Sequence, residues 1–471
     1  MRNAEWLEVW PWRSWLRRLL PLGALALALL LTYVGVRKGM IIPLAALAVA
    51  GAGGIIAFFT WQGNGEAQIL GILWAAAFVR FAIPTGTQSK IPISLTLAGL
   101  VVGWWVLNEL QVRRRLTLVP SPTRTPLLGF MATCVISYLW SITFRDPLVR
   151  PWRTWPVVQI GGLTVMELLP AVYLFAANKL RHRWVFDAMT YTFLLMGALV
   201  LVDIHLHLGR HLFDWIQTRP LFPTWLISTA LALALVRKRW PWTLRLAMLL
   251  LVLGWGIHVF VFQFEWLSAW FPALLAMGLI GLLKSRKLLI LIVILIILYA
   301  AFNWATIQEK LAFESVNSGE TRLDAWKHNW RITSKHWLFG VGPAGYAVYY
   351  MSYFPMEAMA THSTYLDIFS QTGIVGLGFF LWFWGAVGLT LWRLWQRVKS
   401  RDDWTTSFTL AAMGGYVGAL AAMALGDWIV PFVYTQQIGG FDYAVYTWMM
   451  LGAAEALWHL ERERMGEVVR G

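Results

Sequence analysis

Apolar runs close to the ~20 residues that a helix needs to cross a bilayer alternate along this chain with short polar intervals. They fall at 19–36, 41–61, 67–83, 94–110, 127–144, 157–177, 186–206, 222–236, 242–262, 266–283 and 288–304. After one long polar interval they resume at 372–394, 408–429 and 443–460. The pattern predicts an all-α polytopic membrane protein with about 12–14 transmembrane helices. Its expected organisation is an N-terminal transmembrane bundle over 1–304, an outer loop over 305–371, C-terminal transmembrane helices over 372–460 and a cytoplasmic tail over 461–471. The first run follows Arg2, Arg13, Arg17 and Arg18 in the outline of a signal peptide. It leads into a second run with no small-residue cleavage site, so it reads as a first span.

Composition sharpens this picture. Of 471 residues, 58% are hydrophobic and only 13% are charged, about half the charged share of a soluble domain. A net charge of +15 raises the question of nucleic acid. The cations, however, cluster between apolar runs, at 113–115, 179–183, 237–239, 284–287, 393–401 and 462–464. An even number of spans separates each cluster from the others and from the basic N-terminus, so all fall on one side, which the positive-inside rule makes cytoplasmic. No nucleic-acid partner is expected. The only cysteine, Cys134, lies within an apolar run and permits neither an intrachain disulfide nor a cysteine-based metal site.

On this topology the long polar interval lies outside. So do Lys90 and the loops over 145–153 and 210–219, whose cations break the positive-inside bias and suit anion binding. A tolerated loop charge is the plainer reading of any single one. Ionisable residues within or beside the spans are functional candidates by default. Arg80 is one, at the outer end of its run, where it can also snorkel. Glu167 is another, with a protonated or helix-paired carboxyl as the simpler reading. Asp203, His205 and His207 alternate along what should be a helix, which splays them apart and speaks against a metal site.

The polar interval carries the chemistry. Thr321 and Asp324 have capping-box spacing and predict a helix from Thr321 through Trp326 and Trp330 to about Ser334. The two tryptophans, four apart, share a face. Arg322 falls in the first turn, where an anion would also meet free N–H groups; pairing with Glu320 or Asp324 is its bland alternative. Gly340-Val-Gly342-Pro-Ala-Gly345 lacks the Lys and Ser/Thr of a phosphate-binding P-loop and reads as a turn. His362 precedes the next span, at the expected membrane boundary. A neutral imidazole there can take a proton from a hydroxyl while arginines hold a polyanionic leaving group.

Arg322-x-x-x-Trp326, a hydrophobic-Gly-Val-Gly-Pro turn at 339–343, and His362-Ser363 followed after nine residues by Gly373-x-x-Gly376 stand here in the order of a known pattern. In this the chain resembles the O-antigen ligase and polymerase family of bacterial envelopes. Leu377 and Gly378 stand where that signature often ends in two threonines. The resemblance implies a GT-C-like membrane glycosyltransferase that takes a glycan from undecaprenyl diphosphate, inverts the anomeric carbon and uses no metal or other cofactor. Its partners would be the lipid-linked donor, a glycan or lipid acceptor and membrane lipids. The resemblance also implies a place in the bacterial inner membrane, with the active site on the periplasmic face.

The same resemblance makes His362 the base and Arg322 a diphosphate ligand, with Arg80, Trp326 and Ser363 as possible supports. A second diphosphate ligand falls to Arg210 or Arg219, near which Pro223-Thr224 replaces the family's Pro-Asn. The family's Ser-Arg-Gly is absent, and Ser268-Ala269-Trp270 stands nearest. Glu320 and Asp367 are the alternative bases. Ligase and repeat-unit polymerase share these motifs. A transporter without chemistry is the competing class, although the chain lacks the internal repeat that class favours.

Overall fold

The computed structural model describes residues 64–84, 89–206, 218–219, 221–264, 266–305, 307–309, 320–354 and 361–467. The chain divides into two compact units, Met1–Gln68 and Ile69–Gly471, and the second carries the features described below. The expected spans at 19–36 and 41–61 lie outside the described residues.

The architecture is all-α. Helices α1 (Gly65–Phe78), α2 (Ile93–Arg113), α3 (Arg124–Thr143), α4 (Trp155–Lys179), α5 (Arg183–Leu206), α6 (Leu221–Val236), α7 (Trp242–Ile257), α8 (Leu267–Lys284) and α9 (Arg286–Phe302) precede the polar interval. Within and after it come α10 (Glu320–Thr333), α11 (Gly345–Tyr353), α12 (Thr364–Val398), α13 (Trp404–Leu425), α14 (Val433–Gln436) and α15 (Phe441–Arg464). A hairpin of β1 (Ala82–Pro84) and β2 (Lys90–Pro92) is the one sheet among the described residues. Eight helices among those residues are long and apolar enough to cross a membrane: α2, α3, α4, α5, α7, α8, α12 and α13. The chain is therefore a multi-pass membrane protein.

Lipid is as apolar as leucine, so helices in a bilayer associate through close packing and internal hydrogen bonds. Helix α13 shows how this works. Its Gly414, Gly415 and Gly418 abut Ser228, Trp225 and Thr224 of α6, and a methyl group at Gly415 would sit 2.4 Å from the Trp225 ring. Trp225 is fully buried and donates its indole N–H to Thr447 of α15 at 2.9 Å. Side chains facing outward are apolar instead: Ile290, Leu291, Leu295 and Ile297 of α9 are all half exposed or more, as a lipid-facing helix requires.

One end of the bundle gathers cations and carboxylates. Arg181 pairs with Glu463 at 3.1 Å, Arg401 with Glu461 at 2.9 Å and Arg397 with Glu467 at 2.8 Å, while the Lys238 N–H reaches Asp402. Four of the clusters that the sequence places on a common side thus converge. Helix α15, expected as the last span, is buried over most of its length although it carries Glu455 and His459. Thr123 donates to both oxygens of Glu455 at 2.7–2.8 Å, and Tyr173 donates to the same carboxylate. A buried carboxylate without such partners would cost several kcal/mol.

Helix α12 departs most from the hydrophobic pattern. Apolarity places the start of a span at 372, yet the helix begins at Thr364, because the polar residues 364–372 are buried and hydrogen-bonded within the protein. Gly373 then interrupts it with φ +66° and ψ −168°, a conformation open only to glycine.

Candidate functional site

The kink at Gly373 is one half of an interlock. The other half is the 340–345 turn, whose Gly340 and Gly342 have φ of +70° and +88°. The N–H of Val341 donates to Ser370 O at 2.9 Å and that of Gly342 to Gln371 O at 3.0 Å, while the Gln371 side chain accepts from Ala344 N at 2.7 Å. In return, Ile374 N donates to Trp337 O at 2.8 Å. Ser137 of α3 donates to the carbonyls of both Phe339 and Gln371. A Cβ at Gly373 would lie 2.2 Å from Leu338 O, and one at Gly340 2.5 Å from the Gln371 carbonyl carbon. The glycine motif thus does more than reverse the chain. It lets two backbones approach closely enough to satisfy the groups that the kink frees.

Between these fastened points the chain brings up His362. Its backbone is left-handed, φ +52°, which costs a non-glycine residue about 1–2 kcal/mol and persists only where neighbours enforce it. Both neighbours are buried anchors. The Thr361 carbonyl accepts the Trp326 indole N–H at 2.8 Å, and its hydroxyl donates to Asp367 at 2.7 Å. Ser363 donates to Met423 O, and Thr364 donates through both N–H and hydroxyl to Gly426 O at 3.1 and 2.8 Å. His362 itself is exposed. A strained backbone held between buried residues, presenting a titratable ring outward, fits a preorganised catalytic position.

Asp427, just past the end of α13, stands close enough to His362 for their charges to interact. It is 1% exposed and accepts from Phe432 N at 3.2 Å, Gln436 Nε2 at 3.2 Å and Thr435 Oγ1 at 3.4 Å. Gln436 in turn accepts from the Tyr443 hydroxyl at 2.9 Å, and the Arg219 guanidinium lies 5.9 Å from the centre of the Tyr443 ring. Next to Tyr443, Asp442 accepts from Ser94 and feels the charge of Arg80. Helices α2, α6, α12, α13 and α15 therefore bring His362, Asp427, Arg219 and Arg80 to the same end of the bundle, opposite the ion-paired end.

Of the residues singled out in sequence, His362, Ser363, Trp326, Arg219 and Arg80 are described and belong to this end. Ser363 and Trp326 act on the backbone around His362. Arg80 lies beyond the end of α1, which stops at Phe78. Arg322 falls in the first turn of α10, which begins at Glu320, one residue earlier than the capping spacing places it; the side chains of Arg322 and Glu320 lie outside the described residues. Arg210 and His207 also lie outside them. Asp367, an alternative base, is 1% exposed and holds Thr361 from behind. Glu167 keeps one buried oxygen without a hydrogen-bond partner among the described residues. Asp203 is buried and His205 exposed, with the His205 ring 6.3 Å from that of His258.

Asp427 escapes a reading by hydropathy because the 408–429 run absorbs it. An aspartate inside an apparent span is nonetheless the signal that would have found it. Replacing Trp326 by Phe keeps an aromatic ring but removes the donor to Thr361. The glycan transfer that the sequence resemblance implies should fall about tenfold, with the melting temperature little changed. Unchanged transfer by the purified variant would reduce the indole to packing.

The fold and this end of the bundle define an all-α multi-pass membrane protein with a histidine presented on a rigid polar frame beside a buried carboxylate and cations. Residues 245–381 match the family model described as O-antigen ligase, in agreement with the resemblance read from the sequence. The matched stretch runs from α7 into α12 and contains Trp326, the glycine turn, His362 and Gly373. No curated protein matches the chain.

Proposed function

We propose that this protein is a metal-independent inverting glycosyltransferase of the GT-C kind. It moves a glycan from undecaprenyl diphosphate to an acceptor hydroxyl on the periplasmic face of the bacterial inner membrane, as an O-antigen ligase does. The observation that carries this reading is the exposed His362 ring on its enforced left-handed backbone, within electrostatic reach of Asp427. The outer loop, 305–371, serves as the catalytic loop between the bundle over 1–304 and the C-terminal helices over 372–460.

In the reaction, His362 accepts the proton of the acceptor hydroxyl as that oxygen bonds to the anomeric carbon. The bond from that carbon to the phosphate oxygen breaks on the opposite face, and the electron pair leaves with undecaprenyl diphosphate. Inversion follows from this in-line displacement. The diphosphate is already a good leaving group, and two arginines neutralise much of its charge through bidentate hydrogen bonds. Arg322 is the first of these, and Arg210 or Arg219 the second. The cation–π contact of Arg219 with Tyr443, two hydrogen bonds from Asp427, favours Arg219. Asp427 stabilises the imidazolium electrostatically until the proton is lost to water.

The test is to incubate the purified protein in nanodiscs with an undecaprenyl-diphosphate-linked oligosaccharide. Release of undecaprenyl diphosphate, with the glycan on an added acceptor in inverted linkage, is the expected result. An intact donor would sink the proposal in favour of transport without chemistry. Elongation of the donor glycan itself would move the reading to a repeat-unit polymerase.

A further inference from the structure

The loop between α3 and α4 reads Arg145-Asp-Pro-Leu-Val-Arg150-Pro-Trp152-Arg153 and stands at the same end of the bundle as His362. It is strapped to the outer segment: Tyr349 bonds the Asp146 N–H at 3.2 Å, Tyr353 donates to the Asp146 carboxylate, and Ser352 meets the Arg150 N–H at 3.4 Å. Lys335 sits 4.7 Å above the centre of the Tyr353 ring. Burial opposes ionisation of Asp146, but bonds from Tyr353 and Leu148 and the charge of Lys335 hold its carboxyl below the usual range. That lone negative charge is thus already engaged within the loop.

The rest of the patch is cationic and aromatic. Arg145, Arg150, Arg153 and Lys335 are exposed, and among the described residues none of the four forms an ion pair. Beside them the rings of Trp152 and Tyr434, 36% and 37% exposed, stand 6.3 Å apart. Exposed aromatic rings next to cations without ion pairs suit a ligand with an apolar ring face, hydroxyls and negative charge. An acidic saccharide has all three. Tyr434 lies on α14, the short helix whose neighbouring Thr435 and Gln436 bond Asp427. One turn of chain therefore joins the patch to the frame around His362.

We propose that Arg145, Arg150, Arg153 and Lys335, around the rings of Trp152 and Tyr434, form a subsite for an acceptor glycan bearing carboxylate or phosphate groups. Assigning the glycan to the acceptor rests on the function proposed above. There the donor diphosphate is held in part by Arg219, against Tyr443, which leaves this shelf for the second substrate. The saccharide stacks on the two rings, and its anionic groups meet the arginines, with an affinity that falls as salt rises.

Binding to the full-length protein in phosphatidylcholine nanodiscs tests this, with tetragalacturonate as the acidic probe, the neutral tetragalactose as its isostere and farnesyl diphosphate as a donor mimic. Tetragalacturonate should bind about tenfold or more tightly than tetragalactose, and the double variant Arg150→Glu/Arg153→Glu should lose that advantage. Arg150→Lys/Arg153→Lys, which keeps the charge, should retain most of it. Farnesyl diphosphate affinity should stay within about twofold across the variants. Equal binding of the two tetrasaccharides, or unchanged tetragalacturonate binding in the charge-reversed variant, would overturn the subsite. A parallel loss of farnesyl diphosphate would overturn its assignment to the acceptor. Binding is read without turnover, so an active His362→Ala protein would sink the mechanism while leaving the shelf standing.

Discussion

His362→Ala protein inserts, folds and fails to transfer glycan: a loss of about 10²–10⁴-fold is expected from removing a general base. Because the ring is exposed and its neighbours are anchored through their own backbone and hydroxyl groups, its deletion removes little packing. The melting temperature should therefore stay put. His362→Gly is the sharper control. Glycine takes φ +52° without penalty, so this variant should be at least as stable as the parent and equally inactive. Normal transfer by either purified variant would eliminate the histidine as base. Asp427→Asn keeps an oxygen for the Phe432 N–H but removes the charge facing His362. With no carboxylate to meet the imidazolium that forms as the hydroxyl loses its proton, maximal transfer should fall about tenfold.

Gly373→Ala is the stability counterpart. It asks a residue with a side chain to adopt φ +66°, ψ −168° and drives a methyl group to 2.2 Å from Leu338 O. The backbone must shift, and the bonds from Ile374 to Trp337 and from Val375 to Leu338 go with it. A cost of about 3 kcal/mol or more is expected, seen as a drop of roughly 5 °C in the melting temperature of the detergent-solubilised protein, together with loss of transfer. Gly378→Ala is the comparison: a methyl group there meets nothing within 4 Å, and neither quantity should change. A Gly373→Ala protein that melts like the parent would mean that the interlock does not hold the kink.

Much of the bundle was legible because a bilayer leaves the chain few choices. Runs such as 157–177 and 242–262 recur as α4 and as α7 with its continuation to Phe262, since an apolar run of spanning length must satisfy its backbone internally. The site was legible only where chemistry and spacing coincide. His362 is exposed and polar at a boundary, and Trp326 marks a helix face. The environments of residues 364–372 and of Asp427 escape hydropathy, which reports average polarity, whereas here polar side chains are buried by pairing with one another. Thr361 with Asp367, and Asp427 with Gln436, are such pairs. No local pattern reports the docking of 340–345 onto 370–375, which joins residues about 30 apart through backbone groups that every sequence possesses.

That docking has a consequence for how the chain between its two halves is free to diverge. The excursion that leaves at Ala344 and returns at Ser370 is closed at its base, and near its far side Thr361 to Thr364 are fastened separately to Trp326, Met423 and Gly426. Inserting residues between Tyr353 and Thr361 lengthens a connection whose two ends are already tied, and each doubling of the length of a flexible connection costs only about 0.6 kcal/mol. Insertions in that interval can therefore accumulate without disturbing the register of the histidine.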